Sequence, residues 1–433
     1  MITRKNKARI ILFVLSVFLS FCLISFFYII FSSLKGYASF SLLLYSLGKL
    51  AGLIGFLFLS LLIISGDTAR FFDRYFGIDK LIKFQRKFAL ITSLFVLFHP
   101  LFFILSSNSA INYLIPKFTV IPLALGIFSL YIFIIVMTCS LIYKRISYNV
   151  WQYIHILTYI LFFFSLYHAF NRGSDSGDFF IRIIYLLLLI AIIIGIIYRT
   201  YYKLKQRKNK FYVKNIKWET KDTFTLTLKS DNKLNFKAGQ FCFLRLDKDK
   251  LYARHPFTIS SSPDENTLDF TMKITGRFTK IASQLKKGEE VIVEGPFGIF
   301  TIEEIPKDKD IVFIAGGVGI TPFISIIKDH LKTGEKQNIL LLYGARTSES
   351  IIFKNYLENI KEKWLKKIYV LSQEEHEICE KGYIDKRIIE KYVKNMDLLF
   401  YICGPEPMKR LCKKELRELG FKKENIIIES FFW

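Results

Sequence analysis

The chain has 433 residues, of which 52% are hydrophobic and 16% aromatic, and its formal net charge is +24. This length suggests two or three domains, and the apolar content exceeds that of an ordinary soluble protein. The positive charge would suit nucleic-acid binding, but no basic stripe with interleaved aromatic residues lies in the more polar second half, which argues against that class of protein.

Six apolar runs in the first half are long enough to cross a hydrocarbon core of about 30 Å. They lie near residues 10–31, 40–65, 88–107, 118–142, 150–170 and 179–200. Lys and Arg are concentrated before the first run, after the second, after the fourth and after the sixth. The positive-inside rule therefore predicts a multi-pass protein of the cell (plasma) membrane with cytoplasmic N- and C-termini. The first run is too long for a signal peptide, so we expect it to be retained.

Three histidines, His99, His155 and His168, lie in predicted spans, where an ionisable side chain is costly and marks a candidate functional site. His155 and His168 are thirteen residues apart on the fifth run, a rise of about 20 Å along a helix. His99 falls toward the outer end of the third run, level with His168. Because neutral imidazole is a good ligand for haem iron, we predict a bis-histidine haem site from His99 and His168 near the outer face.

The inner level, around His155, is less complete. The thirteen-residue step turns the two imidazoles of the fifth span about 140° apart, so that span must bend, bulge or present two faces to the bundle. Gln85 stands where a ligand opposite His155 would fall on the third span. Met137 could supply a thioether, Gln85 could ligate weakly, or the iron could be five-coordinate, and the sequence leaves these alternatives open.

The second span carries a lysine and a row of small residues. Lys49 would suit either a haem propionate or, more commonly, a snorkelling position at the membrane surface. Gly48, Gly52 and Gly55 give the helix a small-residue face, which close helix packing explains as well as a haem edge does.

Beyond residue 210 the long apolar runs give way to short alternating strands separated by polar turns, which predicts a small antiparallel β-barrel. From Asp310 onward strands alternate with helices, which predicts an α/β doubly wound sheet with its ligand at the carboxyl ends of the strands. The fold class is thus a membrane α-helical bundle followed by these two domains, with boundaries at residues 1–205, 206–304 and 305–433.

The segment "IAGGVGITPF" falls at the first strand-to-helix turn of the predicted doubly wound sheet. Gly316, Gly317 and Gly319 would allow the backbone to approach a pyrophosphate closely. Thr321 can cap the following helix, and Pro322 suits its first turn, which attracts phosphate. The position of this turn within a strand–helix series predicts nucleotide binding.

Five motifs occur in order: "RHPFTIS", "GRFT", "GGVGITPF", "YGAR" and "CGPEPM", and the chain ends on "ESFFW". Together they resemble the ferredoxin–NADP reductase-type FAD/NAD(P) module. Joined behind six spans with paired histidines, the chain resembles the NADPH oxidase/ferric reductase superfamily in its bacterial, single-chain form. The resemblance covers nearly the whole chain and implies FAD, NADPH or NADH, and b-type haem as cofactors. It also implies that residues 1–205 are the haem domain, 206–304 the FAD domain and 305–433 the NAD(P) domain.

The resemblance implies roles for residues of the flavin motifs. His255, Pro256, Phe257 and Thr258 match the flavin motif, in which Phe257 would flank the isoalloxazine and Thr258 would hydrogen-bond near its reactive nitrogen. Arg254, Gly276 and Thr279 would bind the FAD pyrophosphate.

The resemblance also implies roles in the nucleotide motifs. Cys403, Gly404 and Pro405 match the segment beside the nicotinamide, and Arg346 could bind a ribose 2′-phosphate, although a solvated arginine explains it equally well. A C-terminal aromatic would cover the flavin and move before hydride transfer. Phe431 matches best, and Phe432 or Trp433 could serve instead. Thr258, Cys403 and Phe431 are thus the candidate catalytic residues. His330 and His376 match no motif and are interpreted as surface residues.

The sequence departs from the superfamily at Gln85, where the oxidases usually have a fourth histidine. We nevertheless favour two b-type haems, since a relay at the His155 level would shorten an electron path of about 20 Å, and one haem is the alternative.

The resemblance implies electron transfer from cytoplasmic NAD(P)H through FAD and haem to an outside acceptor, and O₂ giving superoxide is the acceptor we favour. Ferric iron or a protein of the cell envelope is an alternative acceptor. In a different class, the spans are only an anchor for a flavin reductase. We expect no obligatory regulatory protein.

Overall fold

The computed structural model describes residues 4–32, 39–107, 110–173, 175–207, 210–246, 253–334 and 337–429. Phe431, Phe432 and Trp433, one of which is predicted to cover the flavin, lie outside the described residues. The chain divides into two compact units, Met1–Leu204 and Lys205–Trp433. The division falls where the sequence predicts the end of the membrane bundle.

The first unit consists of long helices. They are α1 (Arg4–Ser32), α2 (Phe40–Asp67), α3 (Ala69–Phe76), α4 (Ile78–Ser106), α5 (Ile121–Leu141), α6 (Tyr148–Arg172) and α7 (Phe179–Arg207). All but the short α3 are long and apolar enough to cross a membrane, which confirms the six predicted spans. The chain is therefore a multi-pass membrane protein.

The second span is the central helix of this unit. More than half of its most apolar stretch is buried, a larger share than in any other span of the described residues. Its small residues explain this, because ideal Cβ atoms at Gly48 and Gly55 would lie 3.3 Å from side chains of α4. The small-residue face therefore serves close packing of α2 against α4, without a hydrophobic driving force between helices in lipid.

The third span begins earlier than predicted. The sequence suggests a start near residue 88, whereas α4 begins at Ile78, directly after Gly77, whose φ of 81° ends the preceding helix. The Asp73 side chain accepts a hydrogen bond from the Ile78 N–H. Charged residues at the end of a span remain helical because they reach water, which a hydropathy criterion alone does not detect.

The second unit begins with a six-stranded antiparallel sheet in the order β4-β3-β6-β1-β2-β5. The strands are β1 (Phe211–Thr220), β2 (Thr223–Lys229), β3 (Phe241–Arg245), β4 (His255–Thr258), β5 (Thr267–Lys273) and β6 (Glu290–Phe297), with helix α8 (Arg277–Ala282) between the last two. An isolated bridge between Ile259 and Phe270 joins the two ends of the sheet. The sheet therefore curls back on itself, as the predicted barrel requires.

A second six-stranded sheet follows, in the order β10-β9-β8-β7-β11-β12, and its strands pair in parallel. Its elements are β7 (Ile311–Gly316), α9 (Thr321–Thr333), β8 (Ile339–Ala345), α10 (Lys354–Asn359), β9 (Leu365–Leu371), β10 (Glu380–Lys381), α11 (Lys386–Tyr392), β11 (Leu399–Cys403), α12 (Glu406–Glu418) and β12 (Ile426–Ile428). The strand order reverses between β7 and β11, and ligands of doubly wound folds bind at the carboxyl ends of the strands beside such a switch point.

Candidate functional site

The structure places His99 of α4 and His168 of α6 side by side, with ring centroids 6.1 Å apart and planes inclined by 75°. The Nδ1 atom of His99 lies 2.8 Å from the carbonyl oxygen of Gly48. The Nδ1 atom of His168 lies 2.9 Å from the carbonyl oxygen of Pro122. Because a carbonyl only accepts, each Nδ1 carries the proton, and Nε2 of each neutral ring keeps its lone pair for a metal.

The separation of the two rings suits one metal atom between them. Two metal–nitrogen bonds of about 2 Å, with about 1 Å from each nitrogen to its ring centre, put two imidazole centroids about 6 Å apart. Among the described residues, no group of three or more His, Cys, Asp or Glu side chains could hold a metal ion. Haem iron needs only axial side chains from the protein, so the residues present fit a haem here.

Each imidazole rests on a glycine that lies one helical turn after its carbonyl partner. A Cβ at Gly52 would lie 2.5 Å from Nδ1 of His99, and a Cβ at Gly126 would lie 2.6 Å from Nδ1 of His168. Only glycine permits these contacts. The same arrangement, a carbonyl at position i and a glycine at position i+4, thus occurs on α2 and on α5. The sequence alone did not indicate a role for Gly126 or Pro122.

His155 has a different environment. Its ring stacks on Trp151, with centroids 4.9 Å apart and planes inclined by 15°. Because α6 is one unbroken helix, its two histidines point to two faces. The side-chain amide of Gln85 donates to the Ser65 hydroxyl at 3.0 Å and so joins α4 to α2. No fourth histidine lies in a span, so the residues do not supply a second histidine pair, and a second haem stays a prediction.

One turn after His155, the helices α2, α6 and α7 are joined by a charged cluster in which Asp67 is buried and Tyr159 and Arg199 are partly buried. Oδ1 of Asp67 accepts hydrogen bonds from the Tyr159 hydroxyl at 2.6 Å and from the Arg199 guanidinium at 3.0 Å. Arg199 also donates to the Tyr159 oxygen at 2.9 Å. We call these three residues the charged lock. Sequence reasoning missed it, because Asp67 and Arg199 lie at the ends of apolar runs and resemble ordinary flanking charges.

The lysine of the second span has a partner in the protein. Lys49 forms an ion pair of 2.7 Å with Asp175, and both side chains are largely buried. Neither the propionate partner nor the snorkelling position considered from the sequence describes this contact. Asp175 follows α6, so the ion pair links the loop before α7 to α2.

Strand β4 carries the predicted flavin motif. The rings of His255 and Phe257 lie 4.3 Å and 5.6 Å from the ring of Phe278 in α8. They share one face of the strand, while Thr258 is buried and Pro256 is partly buried. Burial lowers the pKa of His255, so the imidazole is neutral at pH 7. The arrangement presents aromatic surface where an isoalloxazine ring is expected, and these roles stay predictions.

The residues expected at the FAD pyrophosphate have partners within the protein. Arg254 forms an ion pair of 3.1 Å with Glu294, and its guanidinium lies 5.0 Å from the ring centre of Phe243. The Thr279 hydroxyl accepts from the Gly276 N–H at 3.3 Å and donates to the Gly276 carbonyl at 3.1 Å. Thr279 therefore closes the first turn of α8, and the pyrophosphate role of these residues stays a prediction.

The two nucleotide motifs meet at the switch point of the parallel sheet. A Cβ at Gly319 would lie 2.4 Å from the Cys403 carbonyl oxygen and 2.7 Å from the Gly404 Cα. A Cβ at Gly316 would lie 2.9 Å from Cδ of Pro405. The glycines therefore let two backbone segments touch, and they bring the predicted phosphate turn beside the predicted nicotinamide segment. Burial raises the pKa of the Cys403 thiol, which is neutral at pH 7.

The glycine turn itself differs from the prediction in one detail. Gly317 has a φ of 53°, a left-handed conformation that favours glycine. Thr321 does not cap α9, because it is the first helical residue and its hydroxyl donates to the Val318 carbonyl at 3.1 Å. Pro322 occupies the first turn of α9, as predicted.

Two other sequence interpretations can be compared with the structure. Arg346 directly follows β8, and its side chain is exposed at the carboxyl edge of the sheet. His376 is exposed, as predicted, but the surface position of His330 is wrong, since its side chain is 2% exposed and its ring lies 5.6 Å from that of Trp364. His330 lies on the inner face of the amphipathic helix α9, a position that one residue without a motif does not reveal.

Comparisons with known proteins match three successive parts of the chain. A ferric reductase like transmembrane component matches residues 51–166, an FAD-binding domain matches residues 208–301, and an oxidoreductase NAD-binding domain matches residues 313–414. The class is therefore an oxidoreductase with flavin- and nicotinamide-binding domains behind a membrane bundle. This order of domains, a ferric reductase like component followed by FAD- and NAD-binding domains, matches that of the NADPH oxidase/ferric reductase superfamily.

Two relatives match 49% and 34% of the chain. The glycine betaine monooxygenase reductase subunit of Chromohalobacter salexigens is 30% identical over 235 residues, which are 49% of this chain and 61% of the relative. One component of the Na(+)-translocating NADH-quinone reductase of Yersinia enterocolitica is 34% identical over 157 residues, which are 34% of this chain and 38% of the relative. This chain thus spans less than two thirds of either relative.

Solved structures are likewise similar to about half of the chain. The Amycolatopsis cytochrome P450 reductase GcoB covers 52% of this chain over 69% of its own length, with 21% identity and a TM-score of 0.47. A ferredoxin NADP+ reductase from Neisseria gonorrhoeae with bound FAD and NADP covers 52% of this chain over 98% of its own length, with 20% identity and a TM-score of 0.47.

Proposed function

We propose that the protein is a transmembrane oxidoreductase that transfers electrons from cytoplasmic NAD(P)H, through FAD and b-type haem, to an acceptor on the opposite side of the membrane. The observation that carries this proposal is the pair of imidazoles whose Nδ1 atoms are each bonded to a carbonyl and whose rings lie 6.1 Å apart. A histidine with a purely structural role in a span would need only one hydrogen-bond partner. Here two neutral imidazole rings lie side by side, and Nε2 of each ring keeps a lone pair for a metal.

His99 and His168 would hold the haem iron, and a haem bound there would supply one-electron transfer across a layer that excludes ions. The glycines beside the two rings, Gly52 and Gly126, leave the space that the rings occupy. In the second unit, the Gly316–Gly319 turn would hold the nucleotide phosphates and the Cys403–Pro405 segment would border the nicotinamide. Phe257 and Thr258 would contact the flavin ring.

For the acceptor, we propose O₂ reduced to superoxide, with ferric iron as the second candidate, on the resemblance to the superfamily and on the ferric reductase like match. Topology with both termini in the cytoplasm follows from the positive-inside rule. Proteoliposomes loaded with NADH or NADPH would separate the two acceptors: superoxide production requires oxygen and is removed by superoxide dismutase, whereas ferric chelate reduction persists without oxygen.

The central experiment is a visible spectrum of the purified full-length protein before and after anaerobic NADH or NADPH. We expect reduction of both flavin and haem bands in the wild type. In His99→Ala and His168→Ala, flavin reduction should persist while the bis-imidazole haem spectrum and transfer across the membrane are lost. His376→Ala, at an exposed histidine, is the matched control. Wild-type protein without haem would make the bundle an anchor for a flavin reductase and would overturn the proposal.

A further inference from the structure

The carboxyl edge of the nucleotide-binding sheet carries a charged residue outside every motif, Glu374. It follows β9 and is half-buried, and its Oε2 accepts a 2.7 Å hydrogen bond from the N–H of Ser348, just past the end of β8. The two strand ends are also joined through the backbone, since the Gln373 N–H donates to the Arg346 carbonyl at 2.9 Å. The Glu374 carboxylate is therefore held at the end of β8.

The end of β8 is the place where this fold presents side chains to the ribose of the adenosine. Strand β8 is the neighbour of β7, which leads into the glycine turn. In doubly wound dinucleotide-binding folds, an acidic side chain here hydrogen-bonds the ribose hydroxyl of NAD, whereas an arginine accommodates the 2′-phosphate of NADP. In this chain Arg346 directly follows β8, whereas Glu374 follows the next strand, β9, and reaches the end of β8 through its contact with Ser348, so the contacts around the two residues bear on the preference.

The N–H of Ser348, a donor that could bind a phosphate, is occupied by Glu374 at 2.7 Å, and this contact favours the carboxylate. The Lys354 ammonium donates to the hydroxyl of the same serine at 2.6 Å. A 2′-phosphate carries a charge of about −1.5 to −2 at pH 7 and would meet the Glu374 charge at short range. A 2′-hydroxyl has no such repulsion and can donate a hydrogen bond to the carboxylate.

We propose that Glu374 is a specificity-determining residue that makes NADH, rather than NADPH, the electron donor of this protein. The inference rests on the proposed function, because it assumes that the protein oxidises NAD(P)H. The choice between NADH and NADPH can nevertheless be measured without electron transfer through the membrane. Exposed Arg346 then contributes to the surface of the site without setting the choice of donor.

The test measures kcat/KM for NADH and for NADPH with a soluble dye as acceptor, using the purified full-length protein with FAD. Wild type should prefer NADH by about tenfold or more. Glu374→Gln keeps the size of the side chain and removes its charge, so NADPH kcat/KM should rise about tenfold while the value for NADH changes less than about threefold. Glu375→Gln is the matched control, because Glu375 is exposed and pairs with Lys381, and its NADH/NADPH ratio should equal that of wild type.

A wild type that prefers NADPH, or a Glu374→Gln variant with an unchanged ratio, overturns the inference. FAD content and melting temperature check that each variant is folded. If Glu374→Gln loses FAD, the Arg346→Ala variant provides the test instead. The proposal expects its ratio of kcat/KM for NADH and NADPH to stay within about threefold of the wild-type ratio. A roughly tenfold loss of kcat/KM for NADPH alone overturns the proposal. Dye reduction without haem reduction would contradict only the proposed electron path through the membrane. Failure of the proposed function can therefore be distinguished from failure of the inference about Glu374.

Discussion

The two histidines of α6 lie in the same helix but in different surroundings. His168 meets a second imidazole, a carbonyl partner and a glycine. His155 stacks on Trp151 and lies one turn from the charged lock. Residue type alone therefore does not say what surrounds a histidine in a span, and the ligand role of each stays a prediction. What distinguishes the two is whether neighbouring helices fix the tautomer and make room for the ring.

Substitution of the glycines should have the largest effect on the His99–His168 level. Gly52→Ala and Gly126→Ala place a methyl group where each ring now lies, so the rings must move and most of the haem should be lost. The measurement is the haem-to-flavin absorbance ratio of the purified protein. Gly66→Ala is the control, because a Cβ there meets no atom within 4 Å. Normal haem content in both glycine variants would contradict the account of how the rings are held.

The charged lock near His155 should decide stability. Arg199→Leu leaves the Asp67 carboxylate buried without its cation, and we expect a loss of about 3 kcal/mol in the free energy of unfolding. The double variant Asp67→Leu/Arg199→Leu should recover part of that loss, because it buries no unpaired charge. Thermal unfolding in detergent provides the measurement.

The control for the lock is the exposed ion pair of Lys221 and Glu349, with side chains 92% and 79% exposed. Lys221→Ala should cost less than about 1 kcal/mol. If Arg199→Leu is no less stable than Lys221→Ala, the lock is not a structural element of the bundle.

The smallest effect concerns a histidine outside the membrane. Burial lowers the pKa of His255 below its ordinary value of 6.5. On acidification, the His255 imidazole is therefore protonated at a higher pH in the unfolded chain than in the folded one. The contribution of neutral His255 to the free energy of unfolding is thus complete above about pH 6.5 and is lost as the pH falls toward the lower pKa of the folded state. The melting temperature of the second unit should fall less on acidification in His255→Gln than in wild type. Equal pH profiles would contradict this.

The candidate site residues of the second unit are easier to recognise in the sequence than the partners of the histidines in the first, for a physical reason. Phosphate turns and flavin motifs are made by neighbouring residues, so the glycines at Gly316, Gly317 and Gly319 are visible as a pattern before any fold is known. The partners of a membrane histidine lie on other helices. Gly126 and Pro122 are separated from His168 by more than 40 residues, and nothing in their local sequence marks them.

The sequence by itself determined the six spans, the two sheets and their order, and the residue types that could bind haem, flavin and nucleotide, because hydropathy and strand–helix alternation are local properties of the chain. Only the tertiary structure decided that Lys49 pairs with Asp175, that His330 is buried, that α4 begins at Ile78 and that Glu374 reaches the end of β8. These facts depend on which surfaces meet when helices and strands pack. Contacts between distant parts of the chain leave no period or motif in the sequence.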